Sequence, residues 1–231
     1  MKEELAKKII EDVKWKYDVV SERFSNSRIG SWTELDFLFN KYLEEDDKVL
    51  DVGCGNGRFY NKIAPKADYF GIDSSEKLIE IAKKSYSKGR FAVADVLNLP
   101  FENNRFDLVY AIGILHHIPS KKFRQKTLDE ISRVLRPEGT TVITVWDIWE
   151  KTARRKMVVK EAICSVLGLS QLDIGDVLLN WQGEDQFYFH SFSLNSLTKI
   201  CKKSKLKPVQ FGKIPSKKGG TNIFVVAVKQ S

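Results

Sequence analysis

The sequence KVLDVGCGNGRFY, which runs from Lys48 to Tyr60, joins a strand pattern directly to a glycine-rich turn. Its first residues are apolar and mostly β-branched, which is typical of a buried parallel strand: Val49, Leu50 and Val52. Small residues then alternate and let the backbone approach a ligand closely: Gly53, Gly55 and Gly57. In an α/β fold such a turn lies at the carboxyl end of a strand, where ligands bind. The stretch therefore predicts a strand, a binding turn and a helix.

The spacing of the glycines narrows the choice of ligand. A dinucleotide fingerprint reads GxGxxG, but Arg58 occupies the position of its last glycine. An acidic residue, Asp51, precedes the first glycine, and its carboxylate suits a cationic ligand better than a pyrophosphate. S-adenosylmethionine has an ammonium, a sulfonium and a ribose but no phosphate, so it fits this loop. The alternative is a glycine turn that binds no ligand.

Length and composition are those of an ordinary globular chain. The 231 residues are enough for one α/β domain with an added segment. Hydrophobic residues make up 42% and charged residues 29%, which argues against disorder. The 38 Lys and Arg outnumber the 30 Asp and Glu and give a net charge of +8. This balance favours polyanions such as RNA, and a generally basic surface explains it equally well.

Cysteine use and apolar runs indicate the compartment. Cys54, Cys164 and Cys201 are widely separated and form no CxxC pair, so we expect neither a disulfide framework nor a zinc or other metal site. No apolar run approaches the roughly 20 residues that span a bilayer. The amino-terminal sequence MKEELAKKII lacks the apolar core of a signal peptide. We therefore expect a soluble cytoplasmic protein without membrane contact.

Residues 1–45 precede the first strand and form a predicted helical segment. Between residues 4 and 24, apolar side chains recur every three or four positions, as in an amphipathic helix. The sequence FSNSRIGSW then breaks the pattern and contains Arg28 and Trp32. An arginine can hold a carboxylate or phosphate through two hydrogen bonds. A surface ion pair for Arg28 and a packing role for Trp32 are the alternatives.

Two further predicted strands end in acidic residues. DYFGID ends at Asp73, whose carboxylate can accept hydrogen bonds from both ribose hydroxyls. Capping of the next helix is the alternative, although Ser74 or Ser75 could serve that role. GRFAVADV follows with Asp95, and Val96 supplies part of the apolar edge that an adenine plane needs.

The fourth predicted strand and its exit face the same ligand. FDLVYAIGIL is almost continuously apolar, as a central parallel strand should be, and Ile112 lies near its end. His116 and His117 follow at once. Either ring could act as a base or orient an acceptor at neutral pH. Packing against the cofactor, or hydrogen bonding at a helix start, is the competing role.

The pattern DxGxGxG after a strand resembles motif I of the class I S-adenosylmethionine-dependent methyltransferases, and the likeness continues from Lys48 to Val228. It implies an α/β fold with a Rossmann-like, mostly parallel seven-stranded sheet, helices on both faces and an antiparallel last strand. The segment PSKKGG between the last two strands agrees with a hairpin there. The resemblance implies a single methyltransferase domain over residues 1–231 and S-adenosylmethionine as the cofactor. The residues expected to bind it are Asp51, Gly53, Gly55, Gly57, Asp73, Ser74, Asp95, Val96 and Ile112.

The carboxyl-terminal half departs from regular alternation. A helix is predicted from Lys121 to Leu135, closed by Pro137 and Gly139, and TTVITVWD is predicted as the fifth strand. Residues 148–193 then form a predicted substrate-side insertion, at the place where class I enzymes commonly build acceptor specificity.

This insertion carries two groups of candidate residues. Its basic patch can follow phosphates or form a solvated helix face, and consists of Lys151, Arg154, Arg155, Lys156 and Lys160. Its later part contains Trp181, Tyr188 and His190, which could stack on a base or anchor the loop.

Several short matches resemble the eukaryotic tRNA wobble-uridine carboxymethyl methyltransferases: Arg28 with Trp32, LNLPF, LHH, a VW in the fifth strand and the region from Trp181 to His190. The resemblance implies formation of a methyl ester on a modified wobble uridine (U34) in the anticodon region of tRNA. Arg28, Trp32 and His116 would then lie at the catalytic centre. The group also implies a small zinc-binding activator protein that forms a heterodimer through the sheet edge. We expect an apolar edge near Phe91–Val93 for it.

Two departures from the group and two other functions stay open. Ile118 stands where the group commonly has tryptophan, and the insertion is short. Small-molecule methyltransferases of the quinone-biosynthesis type share the likeness from motif I through LNLPF, but they bind no tRNA. A regulatory module would bind the cofactor without transferring its methyl group. AIGILHH replaces the Asn-Pro-Pro-Tyr type motif of many amino-group methyltransferases, so we expect an oxygen or carbon acceptor.

Overall fold

Two sheets organise the computed structural model, which describes residues 1–28, 32–216 and 219–230. The strands in chain order are β1 (Lys48–Val52), β2 (Asp68–Asp73), β3 (Arg90–Val93), β4 (Phe106–Ile112), β5 (Leu135–Trp146), β6 (Asp176–Trp181), β7 (Glu184–His190), β8 (Leu206–Pro215) and β9 (Thr221–Lys229). Seven of them form the main sheet in the order β3-β2-β1-β4-β5-β9-β8. Strand β9 is antiparallel to β5 and β8, and the pairs among β1 to β5 are parallel. This arrangement confirms the predicted sheet, including its antiparallel last strand.

Helices cover both faces of this sheet, as predicted. They are α1 (Glu3–Ser27), α2 (Asp36–Tyr42), α3 (Tyr60–Ile63), α4 (Glu76–Ser85), α5 (Lys121–Val134), α6 (Thr152–Val166) and α7 (Leu194–Lys203). Leu128 of α5 and Leu197 of α7 are buried in the core on one face. Phe39 of α2 and Ile79 of α4 are buried in the core on the other. Both cores remove apolar side chains from water and so stabilise the layered fold.

The first helix, α1, lies against α4. Asp18 accepts hydrogen bonds from the Ser75 hydroxyl at 2.6 Å and from the Lys77 amide at 3.1 Å. Lys14 forms an ion pair with Glu76 at 3.0 Å. These polar contacts fix α1 near the carboxyl end of β2, where the predicted site lies.

The insertion differs from what the sequence alone suggested, because β6 and β7 pair as a small antiparallel sheet. Their turn places Gln182 and Gly183 at φ values of 53° and 82°, a left-handed geometry typical of two-residue hairpins. Val177, Leu179, Phe187 and Phe189 are buried and pack with Val20 of α1. The insertion is therefore anchored to the amino-terminal helix.

The boundary between α5 and β5 also corrects a prediction. The helix ends at Val134, and β5 begins at once at Leu135, so Pro137 and Gly139 lie inside the strand. Leu135 pairs with Phe106 of β4, and this pairing extends the strand beyond the predicted TTVITVWD. Thr140 pairs with Leu108, so residues 136–139 form a bulge with Glu138 at a φ of 63°, and the proline and glycine keep a local turn within the strand. In the described ranges, no helix combines the length and the apolar character that crossing a bilayer requires.

Candidate functional site

An inner cavity opens at the carboxyl ends of β1, β2 and β4 and is covered by α1. Its walls include Ile10, Val13 and Tyr17 from α1. Ten of the predicted site residues line it: Arg28, Trp32, Gly53, Gly55, Asp73, Ser74, Asp95, Val96, Ile112 and His116. The rule that ligands bind at the carboxyl ends of parallel strands thus holds for this sheet.

The glycine loop forms the floor of the inner cavity. Gly53 and Gly55 have φ values of 70° and 57°, which residues with a Cβ atom rarely adopt. A Cβ atom on Gly53 would overlap the Ile114 side chain. Ile72 fixes the loop from the neighbouring strand, because its carbonyl accepts the amide hydrogens of Gly53 at 2.8 Å and Cys54 at 2.9 Å.

Asp73 lies in the cavity wall and holds the loop in shape. One carboxylate oxygen accepts the Gly55 amide hydrogen at 2.9 Å, and the other accepts that of Ser75 at 2.9 Å. Burial raises the pKa of Asp73. The cap of α4 is Ser75, whose hydroxyl oxygen accepts the Leu78 amide hydrogen at 3.1 Å. The alternative capping role predicted for Asp73 is therefore filled by its neighbour.

Two predicted cofactor residues lie behind the loop and outside the cavity wall. Asp51 is 1% exposed and accepts a hydrogen bond from the Tyr69 hydroxyl at 2.9 Å. Burial raises the pKa of Asp51 to about 7. A Cβ atom on Gly57 would approach the Phe91 ring to 2.9 Å, so this glycine is needed for packing. Both residues support the loop from its far side.

The remaining wall suits a nucleoside. Asp95 follows β3, and its carboxylate accepts the Leu97 amide hydrogen at 2.8 Å, which fixes the turn beside Val96. Apolar surface is supplied by Leu78, Ala94, Val96 and Ile118. Carboxylates for ribose and cationic groups, an apolar slot for a base and a glycine floor together fit S-adenosylmethionine.

The two adjacent histidines are buried and neutral. His116 packs against Trp146, with ring centroids 5.3 Å apart, and against Phe189, at 5.7 Å. Its Nδ1 accepts the Trp146 amide hydrogen at 3.4 Å, so the ring proton resides on Nε2, which has no partner among the described residues. Burial lowers the pKa of His116 well below its usual value. His116 can therefore donate a hydrogen bond, whereas it cannot supply a positive charge at neutral pH.

His117 has a structural role. Its Nδ1 donates to the Tyr188 carbonyl at 3.2 Å, and its Nε2 accepts the Tyr17 hydroxyl proton at 2.8 Å. Burial lowers the pKa of His117 to about 4. The ring is thus a neutral link between α1 and β7, in line with the predicted alternative of packing and hydrogen bonding.

An outer cavity adjoins the inner one and shares several of its wall residues. Both cavities are lined by Arg28, Trp32, Arg58, Trp146 and Trp181. The outer cavity is also lined by Lys151 and Arg154 of the predicted basic patch. The Arg154 guanidinium lies 5.8 Å from the Trp146 ring centre. This second space has aromatic walls and a cationic rim.

Two arginines line both cavities, and the sequence predicted only one of them, Arg28, as a site residue. Arg28 follows α1, lies 4.9 Å from the Phe24 ring centre and has a buried Nε without a partner in the described parts of the chain. Arg58 lies 4.7 Å from the ring centres of both Trp32 and Phe59. Arg58 was noted in the sequence only as a missing glycine. Its signal was a cation directly after a ligand-binding loop.

Tyr188 and His190 anchor the insertion and do not line either cavity. The Tyr188 hydroxyl donates to Asp176 at 2.7 Å, and His190 Nδ1 lies 2.7 Å from the same carboxylate oxygen. Tyr188 is fully buried. The anchoring alternative therefore describes these two residues, while Trp181 alone of the three faces the cavities.

Comparison with known proteins supports the fold and the cofactor class. Residues 49–139 match the family described as "Methyltransferase domain". The tRNA (carboxymethyluridine(34)-5-O)-methyltransferase of Arabidopsis thaliana is 35% identical over 144 residues, which cover 62% of this chain and 34% of that protein. The Schizosaccharomyces pombe enzyme of the same name is 32% identical over 139 residues, 60% of this chain and 59% of that protein. The matches thus span about a third and just under two thirds of these relatives.

A solved structure extends the likeness along the chain. The Haloferax volcanii methyltransferase in complex with the Trm112 methyltransferase activator superposes with a TM-score of 0.70 at 16% identity, over 95% of this chain and 98% of that one. This similarity concerns the fold. Together with the domain match, it confirms the predicted resemblance to class I methyltransferases, and the predicted cofactor agrees with it.

Proposed function

We propose that this chain, whose residues 49–139 form an S-adenosylmethionine-dependent methyltransferase domain, methylates the carboxymethyl group of a modified wobble uridine (U34) in tRNA. The product would be a methyl ester. The name and activity of the Arabidopsis and Schizosaccharomyces relatives support this acceptor. The acceptor would enter through the outer cavity and the cofactor would occupy the inner one.

The observation that carries the proposal is the unpartnered guanidinium nitrogen of Arg28. Its Nε is buried in the wall that both cavities share, and no described residue accepts a hydrogen bond from it. A buried donor without a partner costs about 1 to 3 kcal/mol, so such a group is expected to meet a ligand. A carboxylate is the natural partner of a guanidinium.

The buried histidines agree with a carboxylate acceptor. The cofactor supplies an electrophilic methyl group, and transfer of that group to a carboxylate oxygen leaves a neutral thioether. A carboxylate is already ionised at neutral pH and needs no general base. Burial lowers the pKa values of His116 and His117, so both rings are neutral and are weak general bases for an acceptor that must lose a proton. Alignment of the two reactants can contribute about 7 to 11 kcal/mol of rate acceleration.

Three tryptophans suit a nucleobase that carries the carboxylate. Trp32, Trp146 and Trp181 line the outer cavity and offer flat faces on which a uracil ring can stack. Lys151 and Arg154 lie at the same cavity and can meet flanking phosphates. His116 would orient the acceptor through its Nε2 proton. Trp32 would contact the base, and Arg28 would hold the carboxylate.

A small zinc-binding activator is the proposed protein partner, and it would form a heterodimer with this chain. Strand β3 is one edge of the main sheet, and Val93 at its end is 46% exposed. This edge offers unpaired backbone groups and an apolar side chain to an added strand. The activator bound to the Haloferax volcanii methyltransferase supports the idea that this fold accepts such a subunit.

The decisive experiment uses cofactor labelled in its methyl group and an acceptor mixture of total tRNA and lipid extract from cells that lack the methyl ester but keep the carboxymethyl group. The protein is incubated with both, in the presence and absence of an activator protein. We expect label in tRNA that mild base removes, because esters hydrolyse there. Increasing salt should suppress the reaction steeply, since each phosphate contact adds about 0.9 to the slope of log affinity against log salt on duplexes. Label confined to a lipid extract would instead support a quinone-type acceptor and overturn the tRNA proposal.

The variant Arg28→Ala tests the residue that carries the argument. We expect turnover to fall at least tenfold while cofactor affinity changes much less, because one charged hydrogen bond contributes about 1.5 to 3 kcal/mol. Arg105→Ala is the matched control. Arg105 also lies over aromatic rings, 4.8 Å from the centre of Phe70, but it lines neither cavity. Equal activity of the Arg28 variant and the control would remove Arg28 from the mechanism.

A further inference from the structure

Two arginines from separate parts of the chain line the wall that the inner and outer cavities share. They are Arg28, after α1, and Arg58, after the glycine loop, and we call them the arginine pair. Both residues also line a third, polar cavity together with Ser25 and Asn56. The arginine pair therefore stands where three spaces adjoin.

The positive charge of the arginine pair lacks a dedicated counter-ion. In the parts of the chain that the structure describes, neither guanidinium forms an ion pair, and their contacts are with aromatic faces. Burial, and then the charge of Arg28, lower the pKa of Arg58 to about 10. Two like charges in a poorly solvated wall repel each other, and this repulsion adds to the free-energy cost of burying them. An anion bound between them would reduce that cost.

Asp51 is the carboxylate whose charge acts on Arg58, and it is already engaged. The Tyr69 hydroxyl donates to Asp51 at 2.9 Å behind the glycine loop. Burial raises the pKa of Asp51 to about 7, so this group carries only part of a negative charge at neutral pH. It leaves much of the charge of the arginine pair uncompensated.

Three residues of the third cavity carry unpartnered polar atoms. Ser25 Oγ, Arg28 Nε and Asn56 Oδ1 are buried and have no hydrogen-bond partner among the described residues. All three residues line the third cavity. The hydroxyl and the guanidinium are hydrogen-bond donors. The Asn56 amide is also a donor at this position when a 180° rotation exchanges its oxygen and nitrogen. The group is thus complementary to a small anion with several acceptor lone pairs.

We propose that the arginine pair is a carboxylate-binding site, with Arg58 as a second ligand-holding residue beside Arg28. This inference rests on the proposed function, because two carboxylates can then reach the wall: that of the acceptor and that at the amino-acid end of the cofactor. Two planar guanidinium forks approach one carboxylate from the end of α1 and from the end of the glycine loop. Binding there offsets one of the two positive charges and gives the buried Nε a hydrogen-bond acceptor.

The test measures binding in two arms, each comparing a carboxylate ligand with a matched ligand that lacks it. The acceptor arm compares 5-carboxymethyluridine with 5-carbamoylmethyluridine in the presence of S-adenosylhomocysteine. The cofactor arm compares S-adenosylmethionine with its decarboxylated form. The wild-type protein should prefer the carboxylate by about tenfold or more in one arm, which identifies its source. Arg58→Met should reduce that preference to less than about threefold, and Arg58→Lys, which keeps the charge but loses the fork, should lie between.

Controls separate this role from folding. Arg105→Met removes an arginine that also lies over aromatic rings, and it should leave both preferences unchanged. Melting curves identify any variant that is unfolded, and Arg58→Lys remains as the milder change. Equal preferences in wild type and Arg58→Met, or no preference in either arm, would overturn the site. A preference in the cofactor arm without ester formation in tRNA would instead refute the proposed function and keep the site.

Discussion

Tyr17 donates its hydroxyl proton to Nε2 of His117 over 2.8 Å, and this bond joins α1 to the exit of β4. The two rings meet edge to face, with centroids 5.3 Å apart. Both residues line the inner cavity, and His117 is held from its other side by the Tyr188 carbonyl. The helix that covers the cavity, the histidine pair and the insertion are therefore connected through one imidazole ring.

Replacing Tyr17 with phenylalanine should loosen α1. The change leaves His117 Nε2 as a buried acceptor without a donor, which costs about 1 to 3 kcal/mol. We expect the α1 amides to exchange with deuterium roughly fivefold faster or more, with weaker cofactor binding, because α1 forms part of the cavity wall. Tyr42→Phe removes a comparable bond to Gln210 on the outside of the fold and is the control. Unchanged exchange in α1 would contradict the tethering role.

The stability of the protein should depend on pH through His117. Burial lowers the pKa of His117 from 6.5 to about 4 in the folded chain, so between these values only the unfolded chain binds the proton. The contribution of His117 to the free energy of unfolding is therefore fully present above pH 6.5, and it falls as the pH drops towards 4. From pH 7 to pH 5 the loss from this residue is about 2 kcal/mol.

The measurement compares wild type with His117→Gln by urea unfolding at both pH values. Asp51 acts in the opposite direction, because its raised pKa makes the folded chain bind a proton between about pH 4 and pH 7. That contribution is present in both proteins and cancels in the difference. If the difference between the two proteins stays constant from pH 7 to pH 5, His117 is not buried as a neutral ring.

The location of the site at the carboxyl ends of the strands was predictable from the sequence, because ligands of parallel α/β sheets bind there. Asp73 and Asp95 end or follow parallel strands, and the structure brings both to the inner cavity. Asp51 was assigned to the same site, but side chains alternate along a strand, and β1 directs it away from the cavity. Val52, its neighbour, lines the cavity, while Asp51 meets Tyr69. The alternation of side chains along β1 would have predicted that Asp51 and Val52 point to opposite sides.

Other features depend on contacts that sequence patterns do not encode. The Arg58 guanidinium lies over the rings of Trp32 and Phe59. Predicting this contact requires the position of the segment before β1, which brings Trp32 to the glycine loop. The pairing of β6 with β7 brings together residues that the sequence presented only as an aromatic run. Burial of Tyr188 and His190 around Asp176 then decided between stacking on a base and anchoring. Each of these outcomes is set by tertiary packing, which outweighs local preference.

Asp73→Ala should weaken cofactor binding about tenfold or more. The substitution removes the expected ribose contact and also frees the amides of Gly55 and Ser75. Isothermal titration with S-adenosylhomocysteine measures the loss. Asp129→Ala is the control, because Asp129 accepts hydrogen bonds from Gln125 and Ser204 away from both cavities. An unchanged dissociation constant would remove Asp73 from the cofactor site.

The charged network under the insertion should control the outer cavity. Asp176 is fully buried and accepts hydrogen bonds from Tyr188 and His190, with the buried Arg124 guanidinium 3.6 Å away. Asp176→Leu leaves Arg124 without its buried counter-charge, and we expect a loss of about 3 to 5 kcal/mol in the free energy of unfolding.

The same substitution should raise the acceptor KM more than the cofactor dissociation constant, because β6 carries Trp181 into the outer cavity. Urea unfolding and steady-state kinetics measure the two effects. Adding Arg124→Met to Asp176→Leu should recover part of the stability, since an apolar pair replaces a buried guanidinium that keeps only the partly exposed Asp173 at 4.0 Å. A double variant no more stable than Asp176→Leu would contradict the pairing of these two charges. Recovery of stability without recovery of the acceptor KM would show that the polar contacts to Tyr188 and His190 position the insertion themselves.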